Sequence, residues 1–425
     1  MPASSPSRGA ALVARALLVA IGLHFVTSSL LGPLVRPYAW SDFATFYAAS
    51  QNFANGLDPY DRSALLAAGR DDFGGWIGGY YYPPPFAAGA VRPLAALPFD
   101  TARRLWVLGE AIAFVVALAL LARRLGADAT MRAAGVAALG LLYAPMALDL
   151  RLGSVSGILL LLVAAFLHEW HRRHRARAAA LLAAAALLKV APVLLLVYLA
   201  VRGEWRFVLR TVASALGIMA ACLPWTGIDA WIGWATRVVP YLISGNFSWF
   251  TNQSIDAFFW RLFVPNPDTS VWLASPTLQR TATALVAAVL LGLVVRLAWR
   301  SRGEAPHGER FDGEVGLVLV VAVLLSRVAW EYLAVLALPA FVFGLAKLLG
   351  GEARPGQALL LGLAWALCAL PFPYAEHPVR QGIGLLLVAP RTYGMLLLVG
   401  LTASFLARGR AAPEMAVARP AISGG

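Results

Sequence analysis

The stretch "SDFATFYAASQNFANGLDPYD", residues 41–61, sets an acid, Asp42, directly behind a serine and places two more acids, Asp58 and Asp61, just after a glycine. A carboxylate held at a helix start with one side open can take a proton from a hydroxyl as a general base. The same acid can instead do no more than complement the helix dipole. Ser41 as N-cap and Gly56 as left-handed stop predict a helix over Asp42–Asn55. Helical spacing then puts Asp42, Thr45, Phe46 and Ala49 on one face and Phe43, Tyr47 and Ser50 on a neighbouring one. Spacing alone leaves both roles of Asp42 open, and an aromatic belt at a membrane surface would look much the same.

The same segment continues through "GRDDFGGW" and "GGYYYPPPF", which add Asp71, Asp72, Trp76 and Tyr80 to Tyr82. Acids among aromatics suit carbohydrate, whose hydroxyls bond carboxylates and whose C–H faces stack on rings. Closely spaced acids could also ligate a divalent cation, but neither "DPYD" nor "DD" has a metal-loop spacing, so no metal is expected. A second aromatic segment, "GIDAWIGWATRVVPYLISGNFSWFTNQSIDAFFWRLF", surrounds the triplet Asn252, Gln253 and Ser254. It reads either as an amphipathic helix lying on the membrane or as a site wall supplying amides to a sugar or phosphate.

The elements that must position these residues are membrane helices. Hydrophobic residues make up 60% of the 425 and charged ones 13%, and mean hydropathy is +0.70, far from the ~25% charge of soluble domains. Ala16 to Val35, with His24 its one ionisable residue, covers a bilayer core at about 20 residues. It lacks the short core and cleavage site of a signal peptide, so it reads as an uncleaved anchor. Cys222 and Cys368 both lie in apolar runs and offer no disulfide framework.

The net charge of +13 resides largely in basic clusters such as "HEWHRRHRARA" and "RLAWRSRGEAPHGER". Placed together on the cytoplasmic side by the positive-inside rule, they orient the chain rather than bind nucleic acid. Apolar runs alternate around them with one exception: "AAALLAAAALLKVAPVLLLVYLAV", residues 178–201, has basic residues on both flanks. Lys189 at its centre would cost about 3 kcal/mol in a plain span, and Pro192 interrupts a helix. Two half-length helices meeting at Lys189–Pro192 are therefore expected. The fold class is an all-α polytopic membrane bundle of about ten full spans plus broken or re-entrant pieces. It would form a single domain over 1–410, with both termini cytoplasmic, outer segments at 36–104 and 225–276, and a disordered tail at 411–425.

Taken in order, "SDFATFYAASQNFANGLDPYD", "YYYPPPFAAGAVRPLAALPFDTARRLW", "AAALLKVAPVLLLVYLAVRGEWR" and "NQSIDAFFWRL" resemble glycosyltransferase family 87 over most of the chain. That family belongs to the GT-C superfamily and includes a bacterial polyprenol-phosphate-mannose-dependent mannosyltransferase. The resemblance implies a bacterial inner-membrane enzyme of envelope glycolipid biosynthesis. It would move a hexose, mannose first, from a polyprenyl-phosphate donor to a lipid or glycan acceptor on the extracytoplasmic face, with inversion and without a cofactor. Asp42 of "SDF" matches the general base. The expected sugar-binding residues are Tyr47, Asp58, Asp61, Tyr82, Asn252, Gln253, Ser254, Trp330 and Glu331.

Two departures from the family pattern stand out. Gly153-Ser154 occupies the place of a Gly-Gln pair, and "SRVAWEY" sets Glu331 and Tyr332 where histidines are usual, which is compatible with a sugar other than mannose. The departing phosphate needs cations. Arg151, Arg327 and Arg391 lie at outer span ends on this topology, and Lys189 joins them if its broken helix opens outward. The rival reading, a secondary transporter or lipid flippase, would bury its acids in facing spans, where only Glu110 and Glu331 are available.

Overall fold

The computed structural model describes residues 8–36, 41–61, 63, 65, 81–125, 129–372 and 380–408. Asp71, Asp72, Trp76, Tyr80 and the tail 411–425 fall outside the described residues. Among the described residues every regular element is helical, and a lone β-bridge joins Asn252 to Trp330. This is an all-α polytopic membrane protein.

The helices are α1 (Gly9–Val35), α2 (Asp42–Ala54), α3 (Pro85–Val91), α4 (Phe99–Ala122), α5 (Ala129–Leu141), α6 (Ala144–Leu152), α7 (Ser156–His171), α8 (Arg175–Leu188), α9 (Val193–Arg202), α10 (Trp205–Ser244), α11 (Ile255–Phe263), α12 (Pro276–Arg300), α13 (Gly308–Leu325), α14 (Leu338–Leu349), α15 (Pro355–Ala369) and α16 (Pro390–Arg408). A 3-10 segment, Glu331–Ala337, leads into α14.

Among the described residues, five helices are long and apolar enough to cross a membrane, or six if α5 and α6, bent by 57°, count as one span. About ten were expected. The difference lies in the helices that fail this test: α7, α9 and α15 are shorter, and α13 carries Glu309, Arg310, Asp312 and Glu314 in its first two turns. Residues Phe311 to Leu324 of α13 are all buried. A helix apolar all round belongs at the centre, and α13 packs there against α14, α16 and the 3-10 segment.

Charges at one end of α13 meet their partners there. Glu314 bonds Tyr198 and Ser301 at 2.5 Å each and pairs with Arg202. Asp312 takes Arg124 at 2.9 Å and His171 at 2.6 Å.

The expected break is present. α8 stops at Leu188, Lys189 is extended, and α9 starts at Val193 after Pro192. At 1.5 Å per residue, α8 and α9 reach about 21 and 15 Å, each short of a bilayer core of about 30 Å. Close to 225, where the outer segment is expected to begin, Gly227 adopts φ +67° and ψ 157°, outside the helical region, so α10 is two helices meeting at a kink there, the second running on to Ser244.

Gly316 of α13 sits where an added Cβ would lie 2.8 Å from the Ala340 nitrogen and 2.9 Å from its Cα. Backbone cannot give way as a side chain does, so Gly316→Ala should lose about 1–3 kcal/mol. Thermal unfolding in detergent checks this: the variant should melt lower, while Gly362→Ala, which meets nothing within 4 Å, should not.

Candidate active site

Ser41 caps α2, accepting the Ala44 N–H at 3.3 Å, and its hydroxyl donates to the Leu152 carbonyl at 3.0 Å. Asp42 is thereby fixed in the first turn, beside the end of α6. That junction requires Gly153, which closes α6 in the left-handed conformation at φ +67° and would drive any Cβ to 2.7 Å from that of Phe43. Trp106 Nε1 donates to the carbonyls of Gly153 and Ser154 at 3.0 and 2.9 Å, holding the turn from α4.

Asp42 is half-buried and faces a cavity of about 230 Å³. Thr45 and Phe46 of α2, Tyr81 to Pro84, Lys189 to Ala191 of the broken helix, Leu242 of α10, and Ser326, Val328, Trp330 and Tyr332 complete its wall. Tyr332 Oη donates to Asp42 Oδ2 at 2.7 Å across 290 residues of sequence. Lys189 Nζ stands 5.4 Å from the centre of the Tyr332 ring, on the same cavity as Asp42. Tyr82 is stacked on Tyr241 at 5.9 Å and edge-on to Phe247. Burial pushes the Tyr60 and Tyr81 phenols up, so both remain donors, to Pro83 and Pro84 respectively.

Of the residues expected from sequence, Asp42, Tyr82, Lys189 and Trp330 come together on this cavity; others do not reach it. Tyr47 is buried and donates to the Leu97 carbonyl at 2.6 Å. Asp58 pairs with Arg237 at 2.5 Å and accepts the Tyr60 N–H, while Asp61 accepts the Ser63 N–H. Both acids organise the turn after α2, because short acidic side chains close such turns.

The Asn252, Gln253 and Ser254 triplet is also committed to backbone. Asn252 Nδ2 donates to Phe247 and Arg327 carbonyls and its Oδ1 accepts from Ala329 and Ser254. Gln253 Nε2 donates to Phe250 and Val388, and Ser254 caps α11. The triplet positions the 326–330 loop, and with it Trp330, where a sugar-contacting wall was expected. A buried amide satisfies itself on the nearest carbonyls.

Glu331 points the other way from Tyr332. It pairs with Arg391 at 2.6 Å on a second cavity of about 350 Å³ that also has His24, Ser28, Ser29 and Arg151 in its wall. Arg327 donates to the Gly245 carbonyl and lies 3.5 Å from Asp256. Among the described residues no three His, Cys, Asp or Glu side chains gather to hold a metal ion.

A half-buried carboxylate held by a phenol, a cation beside it and aromatic walls form a set able to take a proton from a hydroxyl and to receive an anion. Residues 80–326, more than half of the chain, match the family model of glycosyltransferase family 87. The chain belongs to glycosyltransferase family 87. It is a membrane glycosyltransferase. No curated protein matches it. The family 87 match begins after Asp42 and ends before Trp330 and Tyr332, yet folding brings all three onto the cavity lined by matched residues such as Tyr82 and Lys189.

Tyr332 and Asp149 are not among the site residues that the sequence suggests, where Tyr332 stands only in the place of a histidine. Asp149 is an acid inside the apolar run "LLYAPMALDL", and a lone acid in such a run is the signal that could have pointed to it.

Loss of the cap should be felt locally. Ser41→Ala should cost about 0.5–2 kcal/mol, read as a lower melting temperature in detergent.

Proposed function

We propose that this transferase moves a hexose, mannose first among candidates, from a polyprenyl-phosphate donor to a lipid or glycan hydroxyl on the extracytoplasmic face of a bacterial inner membrane, with inversion. The observation that carries the reading is Asp42 on the cavity wall, held by Tyr332 at 2.7 Å with Lys189 close by. In the proposed reaction the acceptor hydroxyl gives its proton to Asp42 as its oxygen attacks the anomeric carbon. The bond from that carbon to the donor phosphate oxygen breaks, and the phosphate leaves with the electron pair.

Tyr332 keeps the Asp42 carboxylate turned into the cavity. Lys189 supplies positive charge where the phosphate gains negative charge, a role in which a preoriented cation lowers the barrier without reorganising. Tyr82 and Trp330 offer ring faces to the sugar. The exposed side chain of Val190, beside Lys189 on the same wall, suits an apolar chain attached to that phosphate. The buried Glu331–Arg391 pair belongs to the second cavity, so neither is assigned to the transfer step.

Purified protein in liposomes with a polyprenyl-phosphate sugar and extracted envelope lipid tests this. Asp42→Asn should lower kcat about 10²- to 10⁴-fold, and Tyr332→Phe about tenfold, the worth of one bond to a charged group. Transfer by Asp42→Asn at the wild-type rate would overturn the assignment of the base.

A further inference from the structure

Two acids behind the cavity are not used by the reaction as described. Glu110 of α4 and Asp149 of α6 are both fully buried, and their carboxyl groups lie side by side on consecutive N–H groups. Each uses one oxygen at the start of α7. Glu110 Oε2 accepts the N–H of Gly157 at 2.7 Å and of Ile158 at 3.2 Å, and Asp149 Oδ1 accepts the Ser156 N–H at 3.1 Å.

The remaining oxygens, Glu110 Oε1 and Asp149 Oδ2, have no donor. Two buried carboxylates cannot face one another with both charges intact, since an unpaired charge in such a setting costs several kcal/mol. One proton satisfies both orphaned oxygens at once. The bond pattern says where it sits. Glu110 already spends Oε2 on two N–H donors, so the proton belongs on Oε1 and is donated to Asp149 Oδ2.

Asp149 then carries the negative charge. The charged and polar groups around it are Asp42 from α2, Lys189 from the break between α8 and α9, Ser156 from α7 and Tyr332 from the 3-10 segment. Lys189 is the cation of this set, and it lines the same cavity as Asp42. We propose that Glu110 and Asp149 share a single proton, and that the ionised Asp149 is a positioning residue that holds Lys189 beside Asp42. When Asp42 becomes neutral on taking the acceptor proton, Lys189 still has a negative partner.

The arrangement also accounts for Gly157, since a Cβ there would lie 2.5 Å from the Glu110 carbonyl and 2.7 Å from Oε2. The second half of the proposal rests on the transfer reaction above, and the first half does not.

Infrared spectroscopy of the purified full-length protein in liposomes tests the shared proton without any substrate. The wild type should show the C=O stretch of a protonated buried carboxyl at neutral pH. Asp42→Asn should keep that band and Glu110→Gln should lose it. A wild type without the band, or a band surviving Glu110→Gln, would overturn the shared proton.

Transfer assays test the positioning role through an asymmetry. Gln at position 110 presents an N–H to Asp149 and a carbonyl to α7, so Glu110→Gln should transfer within about twofold of wild type. Asp149→Asn keeps the shape and removes the charge. It should raise KM for the polyprenyl-phosphate sugar about tenfold while KM for the acceptor stays put. Equal impairment by the two variants would reduce the pair to a helix cap and overturn the role. A band that behaves as expected in a wild type that transfers no sugar would leave the shared proton standing and overturn the transfer reading instead.

Discussion

A charge inside an apolar bundle has to find its partner inside that bundle, because water is not there to solvate it. This constraint accounts for much of the placement of the interior helices. Glu314 is met by Arg202, Tyr198 and Ser301, Asp312 by Arg124 and His171, and Glu331 by Arg391. Each pair ties together helices that are far apart in sequence. Asp42 and Lys189 share the first cavity without an ion pair between them. Incomplete pairing is costly in a core and useful in an enzyme, since the open valence is what a substrate fills.

The broken helix is the means by which one such charge reaches the cavity. A continuous span would carry Lys189 through the middle of the bundle with its side chain directed along a helix face. Ending α8 at Leu188 and starting α9 after Pro192 instead frees Lys189, Val190 and Ala191 to line the cavity. The two half-helices still satisfy their own backbones, which is the condition for non-helical chain at membrane depth. α2 uses the same economy on the opposite wall. A serine cap, a glycine turn without a Cβ and one tryptophan donor set the position of Asp42 to within the reach of Tyr332.

The neighbours Glu331 and Tyr332 divide two cavities between them. In the 3-10 segment successive side chains turn by about 120°, so adjacent polar residues face different compartments. Trp330 is held at the rim by the Asn252 bridge, and the amides of Asn252 and Gln253 are consumed in holding it. Residues of this loop thus act mainly through where they place others.

The sequence by itself determined the class of the protein, the helix at Asp42 with its serine cap and glycine stop, and the break at Lys189–Pro192. These are local matters: hydropathy, capping and the missing proline N–H act within a few residues. It also carried the family resemblance, through an order of short motifs. Which of the polar residues share a site was decided by tertiary structure alone. Asp58, Asp61 and the Asn252 triplet have the same chemistry as site residues but found backbone or surface partners, whereas Tyr332, 290 residues from Asp42, came to donate to it. Neither the shortness of several helices nor burial was legible, so α7, α9 and α15 fell short of full spans and α13 with its charged first turns became the centre. The reason is the same in each case: a side chain's type states what partner it needs, and only the packed fold states which partner is near.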